Sequence, residues 1–274
     1  MSKVKCGLIV SDFDGTLLST KQTISDNVKN AINEYVAAGG IFAVCTGRML
    51  ASILPRVRSL GLKGLVAAYQ GTVIADIESG RLIRSGGFTV DEGVEICRVL
   101  EDHGEAINTY ADDAMYTSLA GDDKLLSVYE NVTGIEGVRV NGKMSEFVKE
   151  HSLSCQKIVS VVMPDKKRAL YDYLVEKFGE RFEVTYSAAV LVELSPKGDD
   201  KGAALKYIAD YYKIPLENTV AVGDNLNDLP MIEAAGTGVA VANALEELKT
   251  YADDVCPSCD DDGIAFVIRK YGLA

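Results

Sequence analysis

Short apolar runs occur in the first quarter of this chain and again in its last quarter. They cover residues 6–10, 41–45, 65–68 and 219–222 and consist almost entirely of Val, Ile, Leu, Phe, Ala, Cys and Gly. Near-continuous apolar runs are typical of strands covered on both faces, as in a parallel sheet flanked by helices. The pattern therefore predicts buried parallel strands.

Helical spacing appears between the first three of these runs. Ser25 is a favourable N-cap, and Gly39-Gly40 marks a helix end. The apolar positions that share one face of this helix are Val28, Ala31, Ile32, Tyr35 and Val36. A second helix is predicted over residues 49–60, and a hairpin over 73–83. Strand, helix, strand, helix, strand predicts an α/β fold with a doubly wound parallel sheet.

The pattern changes near residue 83. Helical stretches at 90–102 and 166–178 alternate with strand-like segments, which lie at 105–110, 157–163 and 182–187. This alternation predicts an inserted α+β domain over residues 83–191. The core domain is then formed by residues 1–82 together with 192–274.

The length and charge of the chain limit the classes of protein to which it can belong. The chain has 274 residues, 47% of them hydrophobic, which exceeds the usual size of one domain. A formal net charge of -12 argues against binding to nucleic acid or to an anionic membrane. No run reaches the roughly 18 apolar residues of a membrane span, and six scattered cysteines suit a reducing compartment. We therefore expect a cytoplasmic protein without a membrane segment.

Two carboxylates follow the first predicted strand, in the segment Asp12-Phe13-Asp14-Gly15-Thr16. In open α/β sheets, the carboxyl ends of the strands face the crevice where ligands bind. A buried pair of carboxylates costs several kcal/mol unless a cation neutralises it. The segment therefore indicates a divalent metal site, although an Asp-x-Asp segment alone more often forms a simple Asx-turn.

Polar groups also follow two other predicted strands. Thr46-Gly47-Arg48 comes after the second strand, and the segment Gly223 to Asp228 comes after the strand at 219–222. Parallel strands bring their carboxyl ends to one edge of a sheet. The side chains of Asp12, Asp14, Thr46 and Asp224 are therefore expected to lie together.

Lys201 begins a predicted helix, directly after Asp199 and Asp200. A cation in the first turn opposes the helix dipole by about 0.3–1 kcal/mol. This position is better explained if Lys201 and the helix start face an anion together. The alternative is a solvent-exposed lysine that Asp199 and Asp200 offset locally.

These segments, taken together and in order, resemble phosphatases of the haloacid dehalogenase (HAD) superfamily, specifically the Cof-type branch with a type IIB cap. The matching segments are 12–17, 46–48, 201–202 and 223–236, with further agreement at 238–244, 252–253 and 262–264. One departure is Tyr69-Gln70-Gly71-Thr72, where such proteins usually carry Asn-Gly-Ala. Gln70 keeps the amide of that Asn on a longer side chain. The resemblance implies a HAD-like catalytic core and identifies the insert as a substrate-selecting cap.

The resemblance also implies an activity. It implies a Mg²⁺-dependent hydrolase that removes phosphate from a small phosphorylated metabolite, such as a sugar phosphate or a phosphorylated cofactor. Asp12 is expected to attack phosphorus and form an aspartyl-phosphate, which divides one difficult displacement into two. Asp14 is expected to protonate the leaving oxygen and later activate water. Thr46 and Lys201 complete the expected catalytic set.

Binding roles follow from the same resemblance. The residues expected to bind substrate phosphate are Asp12, Gly15, Thr46, Gly47, Arg48, Lys201 and Asn227. The residues expected to hold the metal are Asp12, Asp14, Asp224 and Asp228. Asp14 is expected to contribute its main-chain carbonyl. For Asp228, capping of the following helix is an equal alternative. For Arg48, a solvated side chain or an ion pair with an acidic neighbour is an equal alternative to a substrate contact. We expect a monomer or a small homo-oligomer.

Other functions remain open at this stage. A phosphomutase of the phosphomannomutase type shares the first motif and a similar cap, but needs a bisphosphate activator and releases little inorganic phosphate. A non-catalytic metabolite-binding protein is disfavoured, because it has no need of Asp14 beside Asp12. A dehalogenase is disfavoured because that chemistry lacks the acid that Asp14 supplies.

Overall fold

The computed structural model describes residues 4–118, 123–185 and 190–274. The chain divides into two compact units. The first comprises Met1–Arg48, Ile53–Arg84 and Asp200–Ala274, and the second comprises Met49–Ser52 and Ser85–Asp199.

Strands and helices alternate along most of the described chain. The strands are β1 (Leu8–Ser11), β2 (Ile41–Cys45), β3 (Leu65–Ala68), β4 (Val73–Asp76), β5 (Leu82–Ser85), β6 (Ile107–Ala111), β7 (Ala114–Ser118), β8 (Val138–Val140), β9 (Lys157–Val161), β10 (Phe182–Thr185), β11 (Leu191–Pro196), β12 (Thr219–Gly223), β13 (Thr237–Val241) and β14 (Asp254–Cys256). The helices are α1 (Asp26–Ala37), α2 (Leu50–Ser59), α3 (Val90–Asp102), α4 (Asp123–Thr133), α5 (Met144–Glu150), α6 (Pro164–Phe178), α7 (Lys201–Tyr211), α8 (Leu229–Ala234), α9 (Glu246–Lys249) and α10 (Gly263–Val267).

The sheet of the first unit has the order β14-β13-β12-β1-β2-β3-β4-β5. Strands β14 through β3 in this order pair in parallel, and β4 pairs antiparallel with β3. The chain starts at β1, moves outward through β2 and β3, and returns to the other side of β1 with β12. This arrangement confirms the predicted α/β fold with a doubly wound parallel sheet.

Helix α1 illustrates how local sequence forms this unit. The Ser25 side chain accepts a hydrogen bond from the Val28 amide at 3.1 Å, which caps the helix as predicted. The predicted inner face is buried at Val28, Ala31, Ile32 and Tyr35. Val36 differs, because its side chain is exposed. The helix ends before Gly39, whose φ of 101° suits glycine.

The second unit is an α+β structure with a six-stranded sheet of order β10-β11-β9-β6-β7-β8. Its helices α3 and α6 match the predicted helices at 90–102 and 166–178 within two residues. The side chains that α3 and α6 bury in one core are Val94, Ile96, Cys97, Leu100, Leu170, Leu174 and Phe178. Of the predicted strand at 182–187, β10 covers Phe182–Thr185, and residues 186 and 187 lie outside the described residues.

The chain returns to the first unit later than residue 192, the position that we predicted. Strand β11 pairs antiparallel with β9 and β10 of the second unit, and the first unit resumes only at Asp200. The segment Val192-Glu193-Leu194, where the core domain was expected to resume, therefore belongs to the second sheet. In the described ranges, the helices are too short or too polar to cross a bilayer.

Candidate active site

The candidate site lies at the carboxyl ends of β1, β2 and β12 in the first unit. Ser11, the last residue of β1, is aligned with Val222 of β12 and with Val44 of β2. The amide of Asp12 continues this ladder by donating to the carbonyl of Val222 at 2.9 Å. Residues that follow the three strands therefore start at the same edge of the sheet.

Lys201 joins two of the predicted acidic residues in a buried cluster. Its Nζ donates to Asp12 Oδ1 at 2.6 Å and to Asp228 Oδ1 at 2.5 Å. The Lys201 side chain is 1% exposed, and those of Asp12 and Asp228 are 8% and 0% exposed. The alternative of a solvent-exposed lysine is therefore wrong, because Lys201 faces the site and Asp200 caps α7 instead.

Burial and neighbouring charges have opposite effects on the pKa values of this cluster. Burial raises the pKa of Asp12 well above that of a free aspartate, and Lys201 offsets part of the rise. Burial alone lowers the pKa of Lys201, but Asp12 and Asp228 outweigh it, and the pKa lies above its usual value. Lys201 is therefore a fixed cation of the site at neutral pH.

Asp228 is held by donors on several sides. Its Oδ2 accepts from the amides of Asp224 and Asn225 at 2.8 and 3.0 Å, while its Oδ1 accepts from Lys201. Asn225 and Asp228 form a reciprocal capping box at the short turn that precedes α8. Asp228 thus caps this turn and also lies within the acidic cluster.

Asp224 lies against the loop that follows β1. Thr16 Oγ1 donates to Asp224 Oδ1 at 2.9 Å. Gly15 has a φ of +76°, and a Cβ added there would lie 2.8 Å from Asp224 Oδ2, so only glycine fits both the turn and the close approach. Asn243, which the sequence analysis did not single out, donates to the Gly15 carbonyl at 2.8 Å.

Asp14 and Arg48 form a bidentate ion pair. Arg48 Nε and Nη2 donate to the two carboxylate oxygens of Asp14, each at 2.7 Å. The Asp14 side chain is 44% exposed and that of Arg48 is 19% exposed. Hydrogen bonding to Asp14 raises the pKa of Arg48. Arg48 therefore takes the ion-paired position that was the alternative to a substrate contact.

A second group of contacts involves three of the residues that are predicted to bind phosphate, namely Thr46, Gly47 and Asn227. Thr46 is buried, and its Oγ1 accepts from the Arg48 amide at 3.2 Å. Asn227 is exposed and donates through Nδ2 to Gln70 Oε1 at 3.1 Å. A Cβ added at Gly47 would lie 2.6 Å from Gln70 Nε2. The structure thus adds Gln70 to the neighbourhood of the predicted phosphate contacts.

The acidic cluster fits a divalent metal ion. Carboxylate oxygens of Asp12, Asp224 and Asp228 lie within 4.8 Å of one another, and Lys201 is the cation that contacts two of them. Burial raises the pKa of Asp224 as well as that of Asp12, so their charged forms gain from a further cation. Oxygen-only ligands are those that Mg²⁺ prefers. The predicted contact of Asp14, through its main-chain carbonyl, remains a prediction.

A known protein family matches most of the chain. The haloacid dehalogenase-like hydrolase family matches residues 9–268 of this chain. The chain belongs to that family. All the site residues described above fall inside the match, which confirms the predicted hydrolase class.

Two relatives from Bacillus subtilis (strain 168) are each 30% identical to this chain. One is named Phosphatase YwpJ, and its alignment covers 96% of this chain and 98% of the relative. The other is named 5-amino-6-(5-phospho-D-ribitylamino)uracil phosphatase YwtE, with 97% and 98% covered. Phosphatases are therefore among the full-length relatives of this chain.

A solved structure, described as the HAD subclass IIB sugar phosphatase BT4131, has the same fold. Its TM-score is 0.80 at 20% identity, covering 96% of this chain and 98% of that chain. The family match over residues 9–268 confirms the predicted membership in the HAD superfamily, while the type IIB cap stays a prediction, because this likeness shows the fold alone.

Proposed function

We propose that this protein is a Mg²⁺-dependent phosphatase that hydrolyses small phosphorylated metabolites through an aspartyl-phosphate on Asp12. The observation that carries the proposal is the buried contact of Lys201 with Asp12 and Asp228, next to Asp224. This cluster combines a carboxylate nucleophile, a fixed cation and oxygen ligands for a metal.

Phosphate monoesters need such a combination. Their uncatalysed hydrolysis is among the slowest biological reactions, because an anionic nucleophile must approach an anionic phosphorus and a poor alkoxide must leave. Asp12 Oδ1 is held by Lys201, which orients the carboxylate for attack through its other oxygen. Attack forms a P–O bond to Asp12 and breaks the ester P–O bond, so that water hydrolyses the phospho-enzyme in a second step.

Asp14 is the proposed general acid and base. It lies two residues from Asp12, is partly exposed, and is oriented by the two hydrogen bonds from Arg48. A proton on Asp14 would pass to the ester oxygen as the alcohol leaves, and the resulting carboxylate would then deprotonate water. Positioned proton transfer of this kind contributes about 10²–10⁴-fold to rate.

The remaining residues hold the phosphoryl group and the metal. Lys201 and Thr46 are proposed to contact phosphoryl oxygens, where fixed donors stabilise developing charge. We also place Asn227 and the loop residues Gly15 and Gly47 at this group. When bound, Mg²⁺ would supply charge neutralisation at the phosphoryl oxygens.

Roles within the metal site follow from the contacts. Asp12 and Asp224 are proposed as direct side-chain ligands. The contacts of Asp228 with Lys201 and two amides favour a positioning role beside the ion. The Asp14 main-chain carbonyl completes the proposed set.

The substrate class rests on the relatives. The phosphatase YwtE carries in its name a phosphorylated ribityl compound, and the structural neighbour BT4131 is described as a sugar phosphatase. We propose a sugar phosphate or a phosphorylated cofactor as substrate and assign the choice of leaving group to the second unit as the cap domain. Six free, buried cysteines support the proposed cytoplasmic location.

The proposal is tested with a panel of phosphorylated sugars and cofactors, assayed for inorganic phosphate with Mg²⁺ or with EDTA. We expect release from at least one compound with Mg²⁺, and loss of release with EDTA or in the isosteric variant Asp12→Asn. Full activity in that variant or with EDTA would contradict the assigned nucleophile or cofactor. Isomerisation of a sugar phosphate with little free phosphate would replace the proposal by a mutase.

A further inference from the structure

Asn243 connects two loops next to the acidic cluster. It lies two residues after β13, at the edge of the sheet where Asp224 follows the neighbouring strand β12. Its Nδ2 donates to the Gly15 carbonyl at 2.8 Å, and its Oδ1 accepts from the Cys259 amide at 2.9 Å. Because a carboxamide has a donor end and an acceptor end, only this orientation satisfies both contacts.

The peptide unit that Asn243 holds lies against both carboxylate oxygens of Asp224. The Gly15 carbonyl belongs to the peptide that joins Gly15 to Thr16. A Cβ added at Gly15 would lie 2.8 Å from Asp224 Oδ2, and Thr16 Oγ1 donates to Asp224 Oδ1 at 2.9 Å. A fixed position of this peptide therefore fixes the surroundings of the Asp224 side chain.

A second contact from the same segment reaches the main chain of Asp224. The Leu245 amide donates to the Asp224 carbonyl at 2.9 Å. Residues 243–245 therefore hold Asp224 by its backbone and, through the Gly15–Thr16 peptide, by its side chain. The same peptide follows Asp12, the other proposed side-chain ligand, in the loop after β1. The segment thus connects the two stretches of chain that supply the proposed metal ligands.

The effect of these contacts on a metal ion concerns geometry. Asn243 is neutral and bonds to main-chain groups, so it adds no charge to the site. Mg²⁺ requires nearly ideal octahedral coordination at about 2.0–2.1 Å, whereas Ca²⁺ accepts a flexible arrangement of oxygens at about 2.3–2.6 Å. Ligands that are held at fixed positions therefore help the site to discriminate between these two ions.

We propose that Asn243 is a positioning residue that raises the affinity of the site for Mg²⁺ relative to larger divalent cations such as Ca²⁺. It holds the Gly15–Thr16 peptide, and through it Asp224, at the spacing that a small ion needs. The inference rests on the proposed function, because it concerns the metal that Asp12 and Asp224 are proposed to bind.

The test measures the dissociation constants of Mg²⁺ and Ca²⁺ by calorimetry, in about 0.1 M KCl to screen exposed carboxylates. Asn243→Leu removes both contacts and keeps the branched shape of the side chain. Asn243→Asp keeps the acceptor for the Cys259 amide and loses only the donor to Gly15. Its added charge attracts both ions, so the ratio of the Ca²⁺ constant to the Mg²⁺ constant is compared between variants.

The same two changes at Asn33 are the matched controls, because Asn33 is an exposed asparagine on helix α1. Thr16→Val is a third variant, which removes the hydroxyl that the held peptide directs to Asp224 and keeps a similar volume. Urea unfolding without metal shows which variants are folded, and phosphate release is measured with Mg²⁺ for the wild type.

We expect Mg²⁺ to bind about tenfold more weakly to Asn243→Leu, as when a residue that supports a metal ligand is replaced. Ca²⁺ binding should weaken less, because its coordination is flexible. The ratio of the two constants should therefore fall in Asn243→Leu, Asn243→Asp and Thr16→Val. It should stay at the wild-type value in both Asn33 variants.

An unchanged ratio in the folded Asn243 variants would overturn the inference, because a purely structural role would leave both affinities intact or weaken them equally. If neither Asn243 variant folds, an unchanged ratio in Thr16→Val has the same meaning. In either case, a wild type that binds Mg²⁺ and releases phosphate leaves the proposed function standing. A wild type that binds no Mg²⁺ would overturn the proposed cofactor and the inference with it.

Discussion

Replacing Lys201 by Met tests the electrostatics of the site, because it removes the charge of the buried cluster while keeping a similar length of side chain. Lys201 is 1% exposed and neutralises Asp12 and Asp228 at 2.6 and 2.5 Å. Removal of one partner from a buried ion pair costs about 3–5 kcal/mol, since the other charge stays buried. We expect a loss of this size in the free energy of unfolding of Lys201→Met at about pH 8.

The loss should shrink as the pH falls. Burial raises the folded-state pKa of Asp12, and without Lys201 the lowering contribution disappears, so the folded pKa moves further above the unfolded value of about 3.9. A group with a raised folded pKa binds more protons in the folded state, so its stabilising contribution is present at low pH and is lost as pH rises. Between about pH 8 and about pH 5.5, the deficit should therefore fall by more than about 1 kcal/mol.

The assay is urea unfolding of the wild type and of Lys201→Met with EDTA, at both pH values. Lys206→Met is the control, because Lys206 is exposed on the same helix α7 and should change stability by only a few tenths of a kcal/mol. Equal stability of Lys201→Met and the wild type at the higher pH would refute the buried ion cluster. A deficit that stays constant with pH would refute the role of Asp12 in it.

Three further predictions concern the proton donor, the loop and the metal. Asp14→Asn should lower kcat for alkyl phosphates by about 10²–10⁴-fold and aryl phosphates much less, because phenolate leaves without a proton; equal losses would argue against the acid role. Gly15→Ala should destabilise the protein by about 1–3 kcal/mol and weaken Mg²⁺ binding, since its Cβ meets Asp224. Gly39 also has a left-handed φ, but a Cβ added there meets open space. The Gly39→Ala variant should therefore be destabilised by strain alone and keep normal Mg²⁺ affinity; equal Mg²⁺ affinities in the Gly15→Ala and Gly39→Ala variants would contradict the contact with Asp224. Mg²⁺ at about 100 times its dissociation constant should stabilise the wild type by about 2.7 kcal/mol in thermal unfolding, and Asp224→Asn should reduce this shift; an unchanged shift would place the ion elsewhere.

The parts of the fold that the sequence predicts are those with strong periodic patterns. Strands β1, β2, β3 and β12 lie where the apolar runs are, because a strand covered on both faces needs apolar residues at nearly every position. Strand β11 has apolar residues on both sides of Glu193, but such a short segment does not specify which sheet it joins. Its antiparallel partners β9 and β10 are defined only by tertiary structure.

The candidate site also contains some features that the sequence predicts and others that only the tertiary structure defines. That Asp12 and Asp224 follow neighbouring strands is predictable from the order of the elements. The burial of Lys201 is not, because Asp199 and Asp200 beside it are equally consistent with an exposed position. The contacts of Arg48 with Asp14, and of Gln70 with Asn227, join side chains from separate loops, whose distances no local pattern encodes. Asn243 follows β13 at the same edge of the sheet, and that position was a signal for including it.

The most direct test of the central claim is to trap the phospho-enzyme. The wild type is mixed with a phosphorylated substrate and Mg²⁺, quenched with acid within one turnover, reduced with borohydride and analysed by peptide mass spectrometry. Reduction converts an acyl phosphate to an alcohol, so we predict homoserine at position 12 and no reduced aspartate at positions 14, 224 or 228. Reduction at one of those positions instead, or an unmodified Asp12 while phosphate is being released, would contradict Asp12 as the nucleophile.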